Sequence, residues 1–374
     1  MSSSALSGGA SPLLLASEAT LLEDLQGSLQ AVAALRARAS VEAQATLQAL
    51  ARRFPETALV LSGGGALGFF HLGVARALFA AGVMPRVVAG ASMGAMIAGG
   101  LATRTETELA DGFRDPSWIE RHGLRWHGPR ELWRRRSLCC PEKMGEVVRR
   151  NIGEHTFKEA HQRTGRVLAI AVTSARPGHP VRLLSHESAP HTSIPQAALA
   201  SGAIPAFFPR VELDGEHYLD GSFGADVPIE RLTRSFGVGH FVVSQVNAFA
   251  LPFLAAGRVA GARLLGRWAR HTAGSAAHHT GLVLRPTPFG SPLHLLGALG
   301  RQNYKGDLTI TPDLRPGLLT RVMANPSLAE LRLLIEAGAE AAAKSVPILE
   351  RRQALRRALL DGLTAGATAV SVPA

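Results

Sequence analysis

The chain has 374 residues, 46% of them hydrophobic and 18% charged, which is enough apolar material for one large domain or two small ones and excludes global disorder. Its formal net charge of +11 suits an anionic partner such as a membrane surface or nucleic acid, and equally a plain basic surface, because charge alone specifies neither fold nor partner. The two cysteines, Cys139 and Cys140, are adjacent and lack a spaced ligand set, so a disulfide scaffold is excluded, structural zinc is disfavoured and a reducing compartment fits.

In chain order, residues 1–56 read as an N-terminal helical segment. The start has no basic residue and its apolar run, Pro12 to Ala16, is too short for a signal peptide, so a cytoplasmic protein is expected. Helices are expected over Ser17–Leu35, with Ser17 as N-cap, and over Val41–Arg52, with Pro55 closing the segment. From Thr57 strands alternate with helices: strand "TALVLS", a helix from about Gly68 to Ala81, strand "RVVAG" and helix "MGAMIAGGLA". Such alternation predicts an α/β fold with a mostly parallel sheet covered on both faces. The long uncharged stretches Thr57–Ala75 and Val87–Thr103 are Gly-rich and broken by turns, so they read as buried core and no transmembrane helix is expected. Glu106 to Gln162 reads as helical and contains the basic stretch "RWHGPRELWRRR".

Further strands are expected at "RVLAIAVTSA", "PVRLLS" and "HFVVSQVN", which brings the catalytic region to residues 57–248. After Asn247 the alternation is expected to stop, leaving 249–374 as a mostly helical extension. "FLAAGRVAGARLLGRWARH" reads as a basic amphipathic helix with Arg263, Arg267 and Arg270 on one face. It suits an anionic lipid surface, or equally core packing with a solvated basic face. Helices are expected at Ser327–Lys344 and Pro347–Leu363, with the tail "TAGATAVSVPA" disordered.

"VVAGASMGAMIAG" sets Gly90-x-Ser92-x-Gly94 between a buried strand and a helix, the context of a nucleophile elbow. Small residues at Gly90 and Gly94 let backbones pass closely, and the following helix aims its N-terminus at developing negative charge. The earlier loop, "LSGGGALG", matches the dinucleotide pattern Gly63-x-Gly65-x-x-Gly68. That site needs a carboxylate about 20 residues on. After Glu56 the next acidic residue is Glu106. The loop is therefore read as an oxyanion hole, with amides of Gly63, Gly64, Gly65 and Ala66 as donors and Gly68 in support.

A serine nucleophile needs a base. Of fourteen histidines none lies in an obvious late motif; His71 reads as packing or support, His217 and His240 as surface or satisfied core. "YLDGSFGADVPI" offers Asp220, followed by Gly221 and Ser222, at the end of a short strand. On spacing alone it is equally a catalytic carboxylate and a plain Asp-Gly turn.

Together "GGGALG" at 63–68, "GASMG" at 90–94 and "DGS" at 220–222 resemble the patatin-like phospholipase family over about Ala58 to Asn247. "ATRTETEL", "DPSW", "HFVVSQVN" and "RQNYKGDLTI" extend the likeness to the intracellular triacylglycerol lipase branch, to about Ile310. The resemblance implies a three-layer patatin-like fold and a Ser92–Asp220 dyad without histidine, cofactor or metal. It implies lipid ester substrates, with peripheral contact to a membrane or lipid droplet and no nucleic acid partner. The activity implied is a lipid acyl hydrolase of triacylglycerol lipase or phospholipase type. A lipid acyltransferase using the same dyad and a non-catalytic lipid-binding protein are the alternatives. Leu67 stands where many patatin-like proteins have Arg or Lys, Ser222 where Gly or Ala is usual, and Asp226 where Asn is common.

Overall fold

The computed structural model describes residues 18–38, 40–135, 137–176, 181–247, 302, 304–313 and 321–369. The expected basic helix over 253–271, the capping role of Ser17 and the tail from 370 onward lie outside these residues. The chain divides into two compact units, residues 1–56 with 344–374, and residues 57–343.

The smaller unit is built from the helices Glu18–Ala37, Val41–Arg53 and Val346–Ala369. Val32, Leu47, Leu355 and Leu359 form its core. Ser40 opens the second helix by accepting the Ala43 amide at 3.1 Å. The third helix runs past the expected end at Leu363 and takes up the start of the tail expected to be disordered. No proline interrupts 364–369, and alanine there favours continuation.

The larger unit carries an eight-stranded sheet among the described residues: β1 Thr57–Leu61, β2 Val87–Gly90, β3 Val167–Ser174, β4 Arg182–Leu184, β5 Val211–Leu213, β6 Glu216–Leu219, β7 His240–Ser244 and β8 Leu308–Ile310. The order is β5-β6-β3-β2-β1-β7-β8, with β4 pairing β3. From β3 to β8 neighbours are parallel, whereas β4, β5 and β6 pair antiparallel. The central strands are buried along nearly their whole length, as a sheet covered on both faces requires. Ala58, Val60, Val87, Ala89 and Val243 meet Leu232 of helix Ile229–Phe236 on one face. The opposite face meets helix Met93–Ala102, which crosses β1, β2 and β3.

Two expectations change. The alternation does not stop at Asn247, because β8 extends the sheet in parallel beside β7. The helix after the glycine loop begins as a 3-10 turn, Gly65–Phe69, before the α-helix Phe70–Ala80.

Helix Phe70–Ala80 packs along helix Leu328–Ala343. The crossing is glycine to glycine: a Cβ on Gly73 would run into the Ile335 carbonyl, and one on Gly338 into the Phe70 carbonyl. Both obstacles are backbone and cannot rotate away. Gly338→Ala should therefore destabilise the larger unit by about 1–3 kcal/mol, read by urea unfolding, although alanine has the better helix propensity.

Candidate active site

Strand register brings the sequence motifs together. Gly90 at the end of β2 lies beside Leu61 of β1 and Ile170 of β3, and Leu61 lies beside Ser244 of β7. Loops leaving the carboxyl ends of β1, β2 and β7 therefore converge, where open α/β sheets place ligands. His240 pairs with Thr57 at the amino end of the same strands, far from this convergence. His217 sits in β6 opposite Glu212.

Ser92 turns the chain between β2 and helix Met93–Ala102, at φ 53 and ψ −125. That conformation costs a non-glycine residue about 1–3 kcal/mol and persists only where neighbours fix it. The Ser201 hydroxyl accepts the Ser92 amide at 2.9 Å and donates to the Ala171 carbonyl at 2.6 Å. The Ala91 amide donates to the Leu61 carbonyl at 3.2 Å. A Cβ on Gly94 would strike the Leu61 carbonyl, and one on Gly90 the Gly94 backbone. Both glycines of the elbow are thus required by close backbone approach.

Asp220 follows β6, which pairs with β3 at Leu219 and Thr173. Its amide donates to Ala203 at 3.0 Å, and the Thr173 hydroxyl donates to its carbonyl at 2.8 Å. Gly221 lies against the Ala171 carbonyl, where a Cβ would not fit. The Asp220 side chain is 1% exposed. Oδ1 accepts the Ser222 amide at 2.8 Å, and the Ser92 hydroxyl lies on the side of the carboxylate where it favours the charged form. Burial pushes its pKa up from 3.8 to about 7, against the lowering effect of those donors.

The glycine loop passes directly over the serine. A Cβ on Gly63 would lie 3.2 Å from the Ser92 Cβ and would overlap the Ser222 hydroxyl. Of the four expected amide donors, Gly63 gives its N–H to Asp226 Oδ1 at 2.6 Å and Ala66 gives its N–H to the Val322 carbonyl at 2.9 Å. The Gly64 and Gly65 amides have no partner among the described residues. Gly65 adopts φ +55 with its α-carbon pressed on the Val322 carbonyl, a place for glycine alone. Gly68 is pressed on Met93 of the elbow helix, and Leu67 is buried.

His71 is fully buried beneath this loop. Its Nδ1 lies 2.7 Å from the Ser244 hydroxyl and its Nε2 2.9 Å from the Ser62 carbonyl. Burial lowers its pKa to about 4, so the ring is neutral and Nε2 donates to the carbonyl. Sequence reasoning missed Ser201, Gln245, Asn247 and Gln302, all hydrogen-bonded around the site. Local pattern carries no sign of Ser201, whose task depends on where its helix lands. Gln245, Asn247 and Gln302 fall in stretches that carried the family likeness without a role. From Ser92 a cleft opens, lined mostly by apolar side chains that include Phe69, Met96, Ile97, Leu109 and Phe208.

Residues 59–233 match the family model for the patatin-like phospholipase, and the chain carries a patatin-like phospholipase domain. Triacylglycerol lipase SDP1L of Arabidopsis thaliana is 29% identical over 344 residues, spanning 83% of this chain and 42% of that protein. A patatin-like phospholipase domain-containing protein of Aspergillus oryzae is 30% identical over 362 residues, spanning 85% of this chain and 49% of that protein. The chain thus spans less than half the length of these curated relatives. The crystal structure of VipD from Legionella pneumophila is similar at a TM-score of 0.42 and 16% identity, covering 79% of this chain and 67% of that one.

The raised folded-state pKa of Asp220 has a thermodynamic sign. The stability it contributes is fully present below the unfolded value of 3.8 and is lost as pH rises through about 7. The melting temperature of the wild type should fall between about pH 4 and about pH 8, and Asp220→Asn should flatten that fall. A thermal-melting series over this range reads the difference.

Proposed function

We propose that this patatin-like phospholipase domain is a serine acyl hydrolase of lipid esters, with Ser92 as nucleophile and Asp220 as its base. The observation that supports this most directly is a strained Ser92 beside the buried Asp220 carboxylate at the head of an apolar cleft.

In this reading the Ser92 Oγ attacks the ester carbonyl carbon while Asp220 takes its proton. The Gly64 and Gly65 amides, unpaired among the described residues, donate to the oxyanion that forms. Collapse breaks the bond to the alcohol, Asp220 returns the proton to the departing oxygen, and the acyl group stays on Ser92. Water then attacks the acyl-enzyme, giving its proton to Asp220, and Ser92 leaves reprotonated with release of the fatty acid. A carboxylate near its ordinary pKa would be a weak base for this task; a buried one held near 7 is matched to it. The cleft's apolar lining suits an acyl chain. The name of the Arabidopsis relative, a triacylglycerol lipase, favours triacylglycerol as the ester.

The same reading includes peripheral contact with a lipid surface. Trp133 is 86% exposed and Trp126 53% exposed, beside exposed Leu132, Arg125, Arg130 and Arg134. Tryptophan and arginine in such a mixture suit the headgroup region of anionic lipid. No helix among the described residues is long and apolar enough to cross a membrane.

Ser92→Ala and Asp220→Asn, each folded, should lose activity by at least a factor on the order of 10³ on a short-chain chromogenic ester and on emulsified triolein. Full activity of Asp220→Asn would place the base elsewhere. Acyl transfer to added lysolipid in excess of hydrolysis would make the protein an acyltransferase on the same dyad. Wild-type kcat/KM should fall on the acid side of about pH 7, because Asp220 must be ionised to accept the proton. Trp133→Ala combined with Arg130→Glu and Arg134→Glu should weaken co-sedimentation with phosphatidylserine-containing vesicles while sparing the soluble ester; unchanged sedimentation removes the docking part of the reading.

A further inference from the structure

The domain buries a second carboxylate that the reaction above does not use. Asp226 is fully buried, a short helix away from Asp220. Its Oδ1 accepts the Gly63 amide at 2.6 Å. Its Oδ2 accepts Asn247 Nδ2 at 3.1 Å and Gln245 Nε2 at 3.4 Å. Gln302 fixes the backbone beneath it: Oε1 accepts the Asp226 amide at 2.7 Å, and Nε2 donates to the Ser222 and Phe223 carbonyls at 2.7 and 3.0 Å. No basic side chain bonds to Asp226 among the described residues. A buried charge without a counter-ion is costly, so its retention needs an account.

We propose that Asp226 is the positioning residue of the site: its carboxylate ties down the Gly63 amide so that Gly64 and Gly65 present theirs to the oxyanion, and its charge strengthens Asp220 as a base. This rests on the dyad reading given above.

The first half follows from donor arithmetic. The glycine loop has consecutive amides, and a loop free to rotate could point any of them at Ser92. Asp226 removes Gly63 from the choice on one side, and the Val322 carbonyl removes Ala66 on the other. What is left between the two anchors is Gly64 and Gly65. Asparagine does not substitute cleanly. Gln245 is held in one orientation, because its Oε1 accepts the Asn247 amide at 2.8 Å, so its Nε2 must face residue 226. The Asn247 side chain also presents its Nδ2 there. The side-chain nitrogen introduced by Asp226→Asn would meet these donors with a donor.

Asp226 also stands close to the reacting pair: a Cβ on Gly63 would lie 3.2 Å from Asp226 Oδ1 and 3.2 Å from the Ser92 Cβ. The charge of Asp226 opposes ionisation of Asp220 and so raises its proton affinity, in addition to the larger effect of burial. Burial likewise lifts Asp226 to about 6, while the Gly63, Asn247 and Gln245 donors favour its charged form. The groups facing Asp226 from every packed element are therefore amides, the Ser222 hydroxyl and the Asp220 carboxylate. His71, on the helix under the loop, is neutral.

The test separates charge from position. On a soluble short-chain ester, Asp226→Asn should lower kcat about 100-fold with KM within threefold, and should move the acid limb of kcat/KM to lower pH. Asp226→Glu keeps the charge but displaces the carboxylate, so kcat should fall while the acid limb stays near that of the wild type. Asn247→Ala, which removes one donor and leaves Asp226 in place, should show a smaller loss in kcat and covers the case in which Asp226→Asn does not fold. Either of two results overturns the proposal: kcat within threefold of wild type in folded Asp226→Asn or, if that variant does not fold, in Asn247→Ala; or a loss confined to KM. Ser92→Ala assayed alongside distinguishes the two levels. Residual activity there would remove the dyad reading, whereas an inactive Ser92→Ala with a fully active Asp226→Asn removes the positioning role alone.

Discussion

Two carboxylates are buried within a few residues of each other with no basic side chain bonded to either among the described residues, and much of the domain serves to make that tolerable. Neutral donors take the place of a cation. Asp220 receives the Ser222 amide beside the Ser92 hydroxyl; Asp226 receives a main-chain amide and the side-chain amides of Gln245 and Asn247. These donors come from loops after β1, β2, β6 and β7, so the strand order itself is what assembles them. A cation would have stabilised the charges further and lowered both proton affinities, against the proposed role of Asp220 as a base. On the proposed function, the arrangement gives up stability for reactivity, as strained functional sites commonly do.

The strain at Ser92 is held by the same kind of close backbone contact. A positive φ on a serine is fixed by the Ser201 hydroxyl, the Leu61 carbonyl and two glycines that leave no room for a Cβ. The parallel sheet supplies the fixed frame, since Leu61, Gly90 and Ile170 stand side by side in register. Nothing in this frame depends on a long-range charge pair.

The elbow was legible in sequence because its glycines answer a local steric demand that any serine turn between strand and helix must meet. The central strands were legible because burial on both faces writes continuous apolar runs. Asp220 was ambiguous for a physical reason: an Asp-Gly turn and a buried carboxylate read alike until the surroundings are known. The state of the loop amides was not legible either. Whether Gly63 and Ala66 are free depends on residues 226 and 322, which no spacing rule connects to the loop. The strand β8 lies far along the chain from its partner β7, so no local alternation announced it, and the last helix outran its expected end because no proline between 364 and 369 stops it. Ser201 was invisible because serine near a helix end is ordinary by composition.

The Val322 carbonyl and the helix Leu328–Ala343 grip opposite ends of one short piece of chain, the former at Ala66 and the latter along Phe70–Ala80 through the Gly73–Gly338 crossing. Gln302 adds a third hold, at Asp226. All three lie beyond residue 233, where the match to the family model ends, although the similarity to the relatives spans 83% or more of the chain. The body that holds the loop is therefore longer than the stretch the family model matches: a fragment trimmed to residues 59–233 would keep Ser92, Asp220 and every signature glycine, yet lack the clamps that keep the glycine loop in shape. In this chain the letters that advertise the chemistry and the letters that hold it still are written in different places.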